Sequence, residues 1–332
     1  MDWEIQEMQN KDVIIIGAGI AGLLCAERLQ KAGIEVTVLE KENSVGGRMA
    51  TRRSNNGNWD TAAQFFTVRD LRFQMYVDDW LESGVCKRWF VAEGNELGAQ
   101  GYVRYRGSDG MISAPERLAA LLDVQLQTPV TKTTFDGKTW GIWVRGKQAY
   151  TCKTLILTAP LPLSLELLEA GQADLDISLH DELKGLRYVP GIAMLARLQS
   201  GSSLNEHGGL RVGKEPIKWI ADNQLKGISS EVPTLTIHAT AGFSQMHWDT
   251  EDSIIASHLT VAAQPFIQSE VAEWEILRWK YAFPSNSWHD LFVADHDRNL
   301  YLAGDAFGGP RIEGAALSGI QTADEYLDRL GS

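Results

Sequence analysis

The residues best suited to chemistry stand near the start of the chain. Gly17-Ala18-Gly19-Ile20-Ala21-Gly22 has the spacing G-x-G-x-x-G, which lets backbone approach a pyrophosphate. In such a loop Gly17 permits a tight turn, Gly19 leaves room for phosphate oxygens, and Gly22 lets a helix pack closely on a strand. The N–H groups opening that helix, at Ile20 and Ala21, and the positive end of its dipole favour an anion. Glu40 comes about twenty residues later, with Lys41 beside it, where a carboxylate accepts ribose hydroxyls. This predicts an adenosine ribose without a 2′-phosphate and leaves NAD and FAD both open.

Two further motifs separate them. Gly46-Gly47-Arg48-Met49 follows the acidic residue; its small residues let backbone pass the flavin end of a dinucleotide, and Arg48 adds a cation for phosphates. Far along the chain, Leu302-Ala303-Gly304-Asp305-Ala306 is a strand running into Gly-Asp. Asp305 is placed to bond a ribityl chain, its plainer reading being a helix or loop cap. A helix beginning near Gly314, with Glu313 and Ala315 at its start, would aim its N-terminus at the pyrimidine end of a flavin. The three motifs together predict FAD, and they disfavour a plain NAD-dependent dehydrogenase.

The elements that must position these residues follow from hydrophobic patterning. Asp12-Val13-Ile14-Ile15-Ile16 is a β-branched run that reads as a strand buried on both faces. A helix over Ile20 to Lys31 follows, with Gly33 at its C-terminus, then a second buried strand from Ile34 to Leu39. Strand, helix and strand in so short a span make a βαβ unit and hence a parallel sheet. Val130 to Thr134, Trp140 to Val144 and Ala149 to Leu157 read as an antiparallel meander, with turns at Asp136-Gly137 and Arg145-Gly146. Its apolar end, Thr154 to Leu157, suits a return to the buried sheet. Asn299 to Ala303 reads as another buried strand, and Gly314 to Leu330 as a helix. The expected fold is α/β: an FAD-binding Rossmann-type domain, glutathione-reductase-2 or amine-oxidase-like, with an inserted mixed α+β substrate domain. The expected pieces are 1–75, 101–160 and 280–332 for the first, and 76–100 and 161–279 for the second.

Composition narrows the partners. A net charge of −12 leaves no basic excess for nucleic-acid phosphates or an anionic membrane. Three scattered cysteines, Cys25, Cys86 and Cys152, fit a reducing compartment better than a disulfide framework. No apolar run approaches the roughly 20 residues of a spanning helix, and residues 1–7 lack the pattern of a signal peptide. The cytoplasm is the expected address. None of the seven histidines sits in a metal-ligand pattern, and no catalytic triad or metal constellation is visible.

On the run from Val13 through Gly47-Arg48-Met49-Ala50-Thr51, the chain resembles the flavin amine oxidase superfamily. Within it, Trp59-Asp60-Thr61-Ala62-Ala63-Gln64-Phe65-Phe66-Thr67 is similar to the Asp-x-Gly-Ala-Gln-Tyr-Phe-Thr stretch of the renalase group. Lys218 to Ala221, Thr236 to Thr240, Arg278 to Ala282 and the stretch from Gly304-Asp305 to Gly319 agree with that group as well. Ala62 stands where the group usually has glycine, and Phe65 where it often has tyrosine. The resemblance extends the cofactor contacts to Ala63, Gln64 and Val130. It implies an oxidase of mis-reduced nicotinamides, the 2- and 6-dihydro isomers of NAD(P)H, with O₂ as final acceptor and H₂O₂ as product.

That chemistry asks little of side chains. A dihydronicotinamide loses hydride because its ring becomes aromatic, so the site must supply geometry rather than a base. The resemblance points to Gln64 and Phe65 on the stacking face, Trp279 and Trp219 as walls, and His238 as a donor to a carboxamide. Buried aromatic residues are more often core, and a lone strand histidine more often structural. With no thiol near Gly304-Asp305, non-covalent FAD is expected. Two other readings stand beside this one. An amine oxidase or desaturase would use the 11 tryptophans as a cage, and a non-catalytic flavin-binding protein would reduce nothing.

Overall fold

A computed structural model of the chain describes residues 8–91, 101–173 and 175–331. They fall into two compact units. The first holds the described residues of Met1–Gly47, Pro115–Arg187 and Pro284–Ser332; the second holds those of Arg48–Ala114 and Tyr188–Phe283.

The first unit is built on an eight-stranded sheet. Its main path runs Val293–Asp295, Leu300–Leu302, Lys147–Leu157, Gln9–Ile16, Val36–Leu39, Asp123–Gln125. Gln9–Ile16 lies parallel to both its neighbours, and Leu300–Leu302 runs parallel to Lys147–Leu157. Val13, Ile14, Ile15, Val38, Leu155, Ile156 and Leu157 are fully buried, as strands covered on both faces require. Each such side chain contributes roughly 1.5–3 kcal/mol of transfer free energy. The meander is present, with Val130–Phe135 and Trp140–Val144 antiparallel and leading into Lys147–Leu157. Arg145 and Gly146 both have positive φ, 50° and 81°, which suits the tight hairpin there. The end of that strand, Thr154 to Leu157, pairs in parallel with Val13 to Ile16, as its apolar run suggests. Helices Ile20–Lys31 and Ile312–Gly331 cross closely at Gly319, where a Cβ would stand 2.1 Å from the Ala21 carbonyl oxygen. The second helix therefore starts two residues before the expected Gly314.

The second unit is organised by a five-stranded sheet in the order Gly209–Lys214, Ile217–Asp222, Thr234–Ala239, Tyr188–Leu198, Val271–Pro284. Its first four strands are antiparallel. Alternation divides their side chains between two faces. Ile192, Met194, Ile220, Leu235 and Ile237 pack with Phe243, Ile255, Leu259 and Ile267 of helices Ala241–Met246 and Asp252–Ile267. The other face meets the hairpin Thr51–Ser54 and Gly57–Asp60. Trp59 Nε1 donates to the Ala196 carbonyl at 3.0 Å, and Thr236 Oγ1 donates to the Asp60 carbonyl at 2.9 Å. A second hairpin, Cys86–Val91 with Val103–Gly107, joins on through paired backbone bonds between Phe66 and Tyr105.

The compact units do not coincide with the pieces expected from sequence. Residues 48–75, 101–114 and 280–283 cluster with the second unit, and 161–187 with the first. The cause is side-chain tethering that strand periodicity does not encode. The 51–60 hairpin is hydrogen-bonded to the second sheet, whereas helix Leu161–Ala170 lies on the meander. There Thr133 Oγ1 donates to the Leu167 carbonyl, and a Cβ on Gly171 would touch the Thr133 carbonyl oxygen at 1.7 Å. Residues 1–7 and 92–100, which carried the expectation about the N-terminal segment and part of the 76–100 piece, lie outside the described residues.

Candidate functional site

In the first unit the glycine loop stands between the first strand and its helix. Gly17, at φ 111°, donates its N–H to the Leu39 carbonyl at 2.9 Å, closing the turn onto the second strand. A Cβ on Gly22 would lie 2.1 Å from the Gly17 carbonyl oxygen, so helix and loop touch as the motif requires. A Cβ on Gly19 would meet nothing within 4 Å, while one on Gly47 would lie 4.0 Å from the Gly19 Cα. The two glycine stretches thus face one another, and the Gly46 N–H bonds the Ala18 carbonyl at 2.8 Å. No side chain caps helix Ile20–Lys31 and no acidic residue sits in its first turn. Its leading N–H groups, at Ile20 and Ala21, remain suited to phosphate oxygens. These residues fit a dinucleotide.

Glu40 does more than await a ribose. It is buried, and its carboxylate accepts the Ala18 N–H at 2.8 Å through Oε2 and the Glu42 N–H at 3.0 Å through Oε1. It braces the loop and retains lone pairs for further donors. Its main chain pairs with Gln125 and Thr128, close in sequence to half-buried Val130 at the head of the meander. Lys41 is exposed and pairs with Glu42 at 3.3 Å. Gly304 takes φ 126°, donates to Ser318 Oγ at 2.8 Å, and leads into a short helix, Asp305–Gly308. Asp305 and Glu313 are both buried, and the backbones at Gly308 and Gly314 meet so closely that neither tolerates a Cβ. Ala315 follows in the first turn of the closing helix.

Within the second unit Arg48 has acceptors in the protein itself. Its guanidinium donates to the carbonyls of Ala282 at 3.1 Å and Tyr281 at 3.4 Å, fastening the start of this segment to the last strand of the sheet. Met49 is buried in the turn Gly47–Met49, and the Ala63 N–H donates to the Arg48 carbonyl at 2.9 Å. Gln64 is likewise tied into the protein by its side-chain amide. Its Nε2 donates to the Asp60 carbonyl at 2.7 Å, and its Oε1 accepts from Lys226 Nζ at 3.2 Å.

Lys226 is the residue that sequence reasoning missed. Its side chain and that of Asp60 are fully buried, with Nζ 2.5 Å from Asp60 Oδ2. Asp60 Oδ1 also accepts from Thr51 Oγ1 at 2.6 Å and from the Met111 N–H at 2.7 Å. Burial pushes the Lys226 ammonium down from its usual range, and the Asp60 carboxylate opposes that. Nothing in the run Asp222-Asn223-Gln224-Leu225-Lys226-Gly227 distinguishes a buried lysine from a surface one. The only signal was Asp60, a carboxylate in an otherwise small and apolar stretch.

Beside this pair lies an aromatic group. Half-buried Phe65 sits with its ring centroid 5.4 Å from that of Trp219 and 6.2 Å from that of Trp89. Trp219 and His238 are direct cross-strand partners, so both project from the hairpin-side face of the sheet. Trp219 Nε1, His238 Nε2 and Trp279 Nε1 are buried without a hydrogen-bond partner. Burial, reinforced by the charges of Lys218 and Lys226, pushes the His238 imidazole down to about 4, so it is neutral at pH 7. The sheet therefore brings Trp219 and His238 onto one face, Phe65 packs on Trp219 from the segment after the hairpin, and Trp279 comes from another strand of the sheet. The described residues contain no cluster able to hold a metal. All three cysteines are free and buried, with the Cys86 and Cys152 thiols pushed up to about 12 by burial and Cys25 also raised.

Comparison with known proteins agrees with this geometry. Residues 15–80 match the NAD(P)-binding Rossmann-like domain family, and residues 75–327 match the family described as flavin containing amine oxidoreductase. Protoporphyrinogen oxidase 2 of Arabidopsis thaliana is 33% identical over 78 residues, which is 24% of this chain and 15% of that protein. Putrescine oxidase of Kocuria rosea is 30% identical over 107 residues, 32% of this chain and 19% of that protein. The chain thus matches these curated relatives over less than a fifth of their length. The structure of wild-type putrescine oxidase bound to putrescine superposes with a TM-score of 0.73 at 15% identity, covering 97% of this chain and 100% of that one. The fold is shared although sequence likeness is thin. The family match spans most of the chain, and the loop residues Gly17, Gly19, Gly22 and Glu40 fit the dinucleotide that the family carries: the chain belongs to the flavin-containing amine oxidoreductases, and its cofactor is FAD.

Proposed function

We propose that the protein is an FAD-dependent oxidase of the renalase type, acting on 2- and 6-dihydro isomers of NAD(P)H. The observation that carries this reading is the pairing, on one sheet face, of ring-stacking surface with unsatisfied buried donors. Phe65 and Trp219 offer flat rings, and Trp219 Nε1 and His238 Nε2 lack a partner. Leaving such groups unpaired costs about 1–3 kcal/mol each, which a planar ring bearing a carboxamide would recover. Bound FAD would supply the two-electron acceptor for a hydride whose loss leaves the nicotinamide aromatic, and O₂ with one proton from solvent would take those electrons on as H₂O₂. Neutral His238 orients the carboxamide, the rings of Phe65 and Trp219 hold the donor flat, and Trp279 adds an indole donor. No residue is asked to remove a proton. Three buried, poorly acidic thiols support non-covalent FAD: denatured protein should release its yellow colour to the supernatant.

Anaerobic stopped-flow with borohydride-reduced NAD⁺ tests the proposal. Rapid bleaching of the flavin by that mixture, with purified 4-dihydro NADH slow, is the expected result. A second reading, an amine oxidase or desaturase, draws on the likeness to putrescine oxidase and would show bleaching by amines or polyenes instead. Bleaching by none of them would leave a flavin-binding protein without catalysis. Among the described residues no helix is long and apolar enough to cross a membrane. The free cysteines support a cytoplasmic address.

A further inference from the structure

We infer that the second unit carries an anion subsite, formed by Arg104 and Arg211 beside the Phe65–Trp219 ring surface, which takes a phosphate of a nucleotide substrate. The inference rests on the oxidase reading above and specifies what its substrate must carry besides the ring.

Backbone register places the groups. Arg211 pairs with Trp219 on the neighbouring strand, Trp219 with His238, and His238 with Ala193. Directly opposed residues share a sheet face, so cation, indole, imidazole and a small residue form one row. Arg104 reaches this row from the hairpin Val103–Gly107. Its Cζ stands 4.4 Å from the centroid of Phe65, 4.7 Å from Phe90 and 4.9 Å from Trp219. Those three rings surround the guanidinium carbon as cation–π partners, which do not use up its N–H donors.

The charges are unusual for so acidic a chain. Several other arginines of this unit meet carboxylates: Arg52 with Glu275, Arg53 with Asp109, Arg197 with Glu273, Arg278 with Asp252. Among the described residues, the side chains of Arg104, Arg211 and Lys218 form no ion pair or hydrogen bond. The buried carboxylate of this region, Asp60, is already committed to Lys226, Thr51 and Met111. Half-buried Arg104 is pushed down from its usual range by burial and then by the charge of Arg211, so the two cations repel each other. An anion relieves that repulsion. A protonated amine placed there would meet like charge.

The test compares two ligands that differ only in phosphate. The FAD-loaded protein is titrated with nicotinamide mononucleotide and with nicotinamide riboside, both oxidised, following indole quenching and the flavin absorption band. We expect the nucleotide to bind about tenfold tighter, and Arg104→Gln or Arg211→Gln to remove most of that preference. Arg104→Lys should keep part of it, and exposed Arg211 can be changed without disturbing the core. Equal affinity of the two ligands for the parent protein, or an undiminished preference in both glutamine variants, overturns the subsite. Because this titration needs no turnover, its failure is separate from failure of the oxidase reading, which is a flavin that borohydride-reduced NAD⁺ does not bleach.

Discussion

The two units build their candidate surfaces by opposite means. In the first, backbone does the work: glycines at fixed spacing, an uncapped helix end, and one carboxylate that holds the loop in shape. In the second, side chains do it. A sheet of ordinary composition gains character only from what alternate residues project onto one face and from the buried Asp60–Lys226 pair behind them. The difference teaches that the first surface tolerates almost no added atoms, whereas the second tolerates changes of shape but not of charge.

The sharpest way to break this contrast is at Lys226. Replacing it by Met leaves the Asp60 carboxylate buried without its partner, which costs about 3–5 kcal/mol of stability. Urea or thermal unfolding of Lys226→Met should show that loss, and the double variant with Asp60→Asn should regain much of it. A double variant no more stable than the single one would mean that Asp60 and Lys226 are not coupled. In the first unit, Gly22→Ala forces a methyl to within 2.1 Å of the Gly17 carbonyl oxygen. The expected outcome is a loss of about 3 kcal/mol and a purified protein poor in flavin. Unchanged flavin content would show that helix and loop can separate without harm. Glu40→Ala removes bonds to the loop and to the ribose together, worth roughly 1.5–3 kcal/mol. FAD should bind about ten- to more than hundredfold more weakly by equilibrium dialysis.

The smallest effect concerns His238. Its unfolded imidazole takes up a proton near pH 6.5, but the folded one refuses it until about 4. The unfolded state therefore binds more protons in that window, and stability falls as pH drops from 6.5 through 4. His238→Gln should show a shallower fall across the same window in denaturant titrations. An identical slope would place the titrating group elsewhere.

Much of the first unit was legible because its signals are local. The run Val13 to Ile16, the glycine spacing and the turn at Arg145-Gly146 each specify geometry within a few residues, and each was found where expected. The bonds of Glu40 to the Ala18 and Glu42 N–H groups, by contrast, are a three-dimensional fact that spacing does not encode. Arg48 and Gln64 show the limit more clearly. Their types suggested a phosphate and a substrate, and their bonds to the carbonyls of Ala282 and Asp60 could not be read from sequence. Lys226 and Arg104 gave no sign at all, since a lysine before Gly227 and an arginine in a hairpin are ordinary until their neighbours are known. The compact units differ from the expected pieces for the same reason: the 51–60 hairpin is held by hydrogen bonds to strands more than a hundred residues away.

The pairing of Leu300–Leu302 with Lys147–Leu157 has a consequence for how the chain assembles. Until the later strand is made, the apolar stretch Leu155-Ile156-Leu157 has an open, parallel-competent edge, a surface that invites pairing with another chain. The wait spans the synthesis of the whole second sheet, so the first unit is nucleated early and sealed late. Folding of this protein should therefore be limited by long-range strand closure rather than by the formation of its glycine loop, and aggregation should compete most strongly before residue 300 is in place.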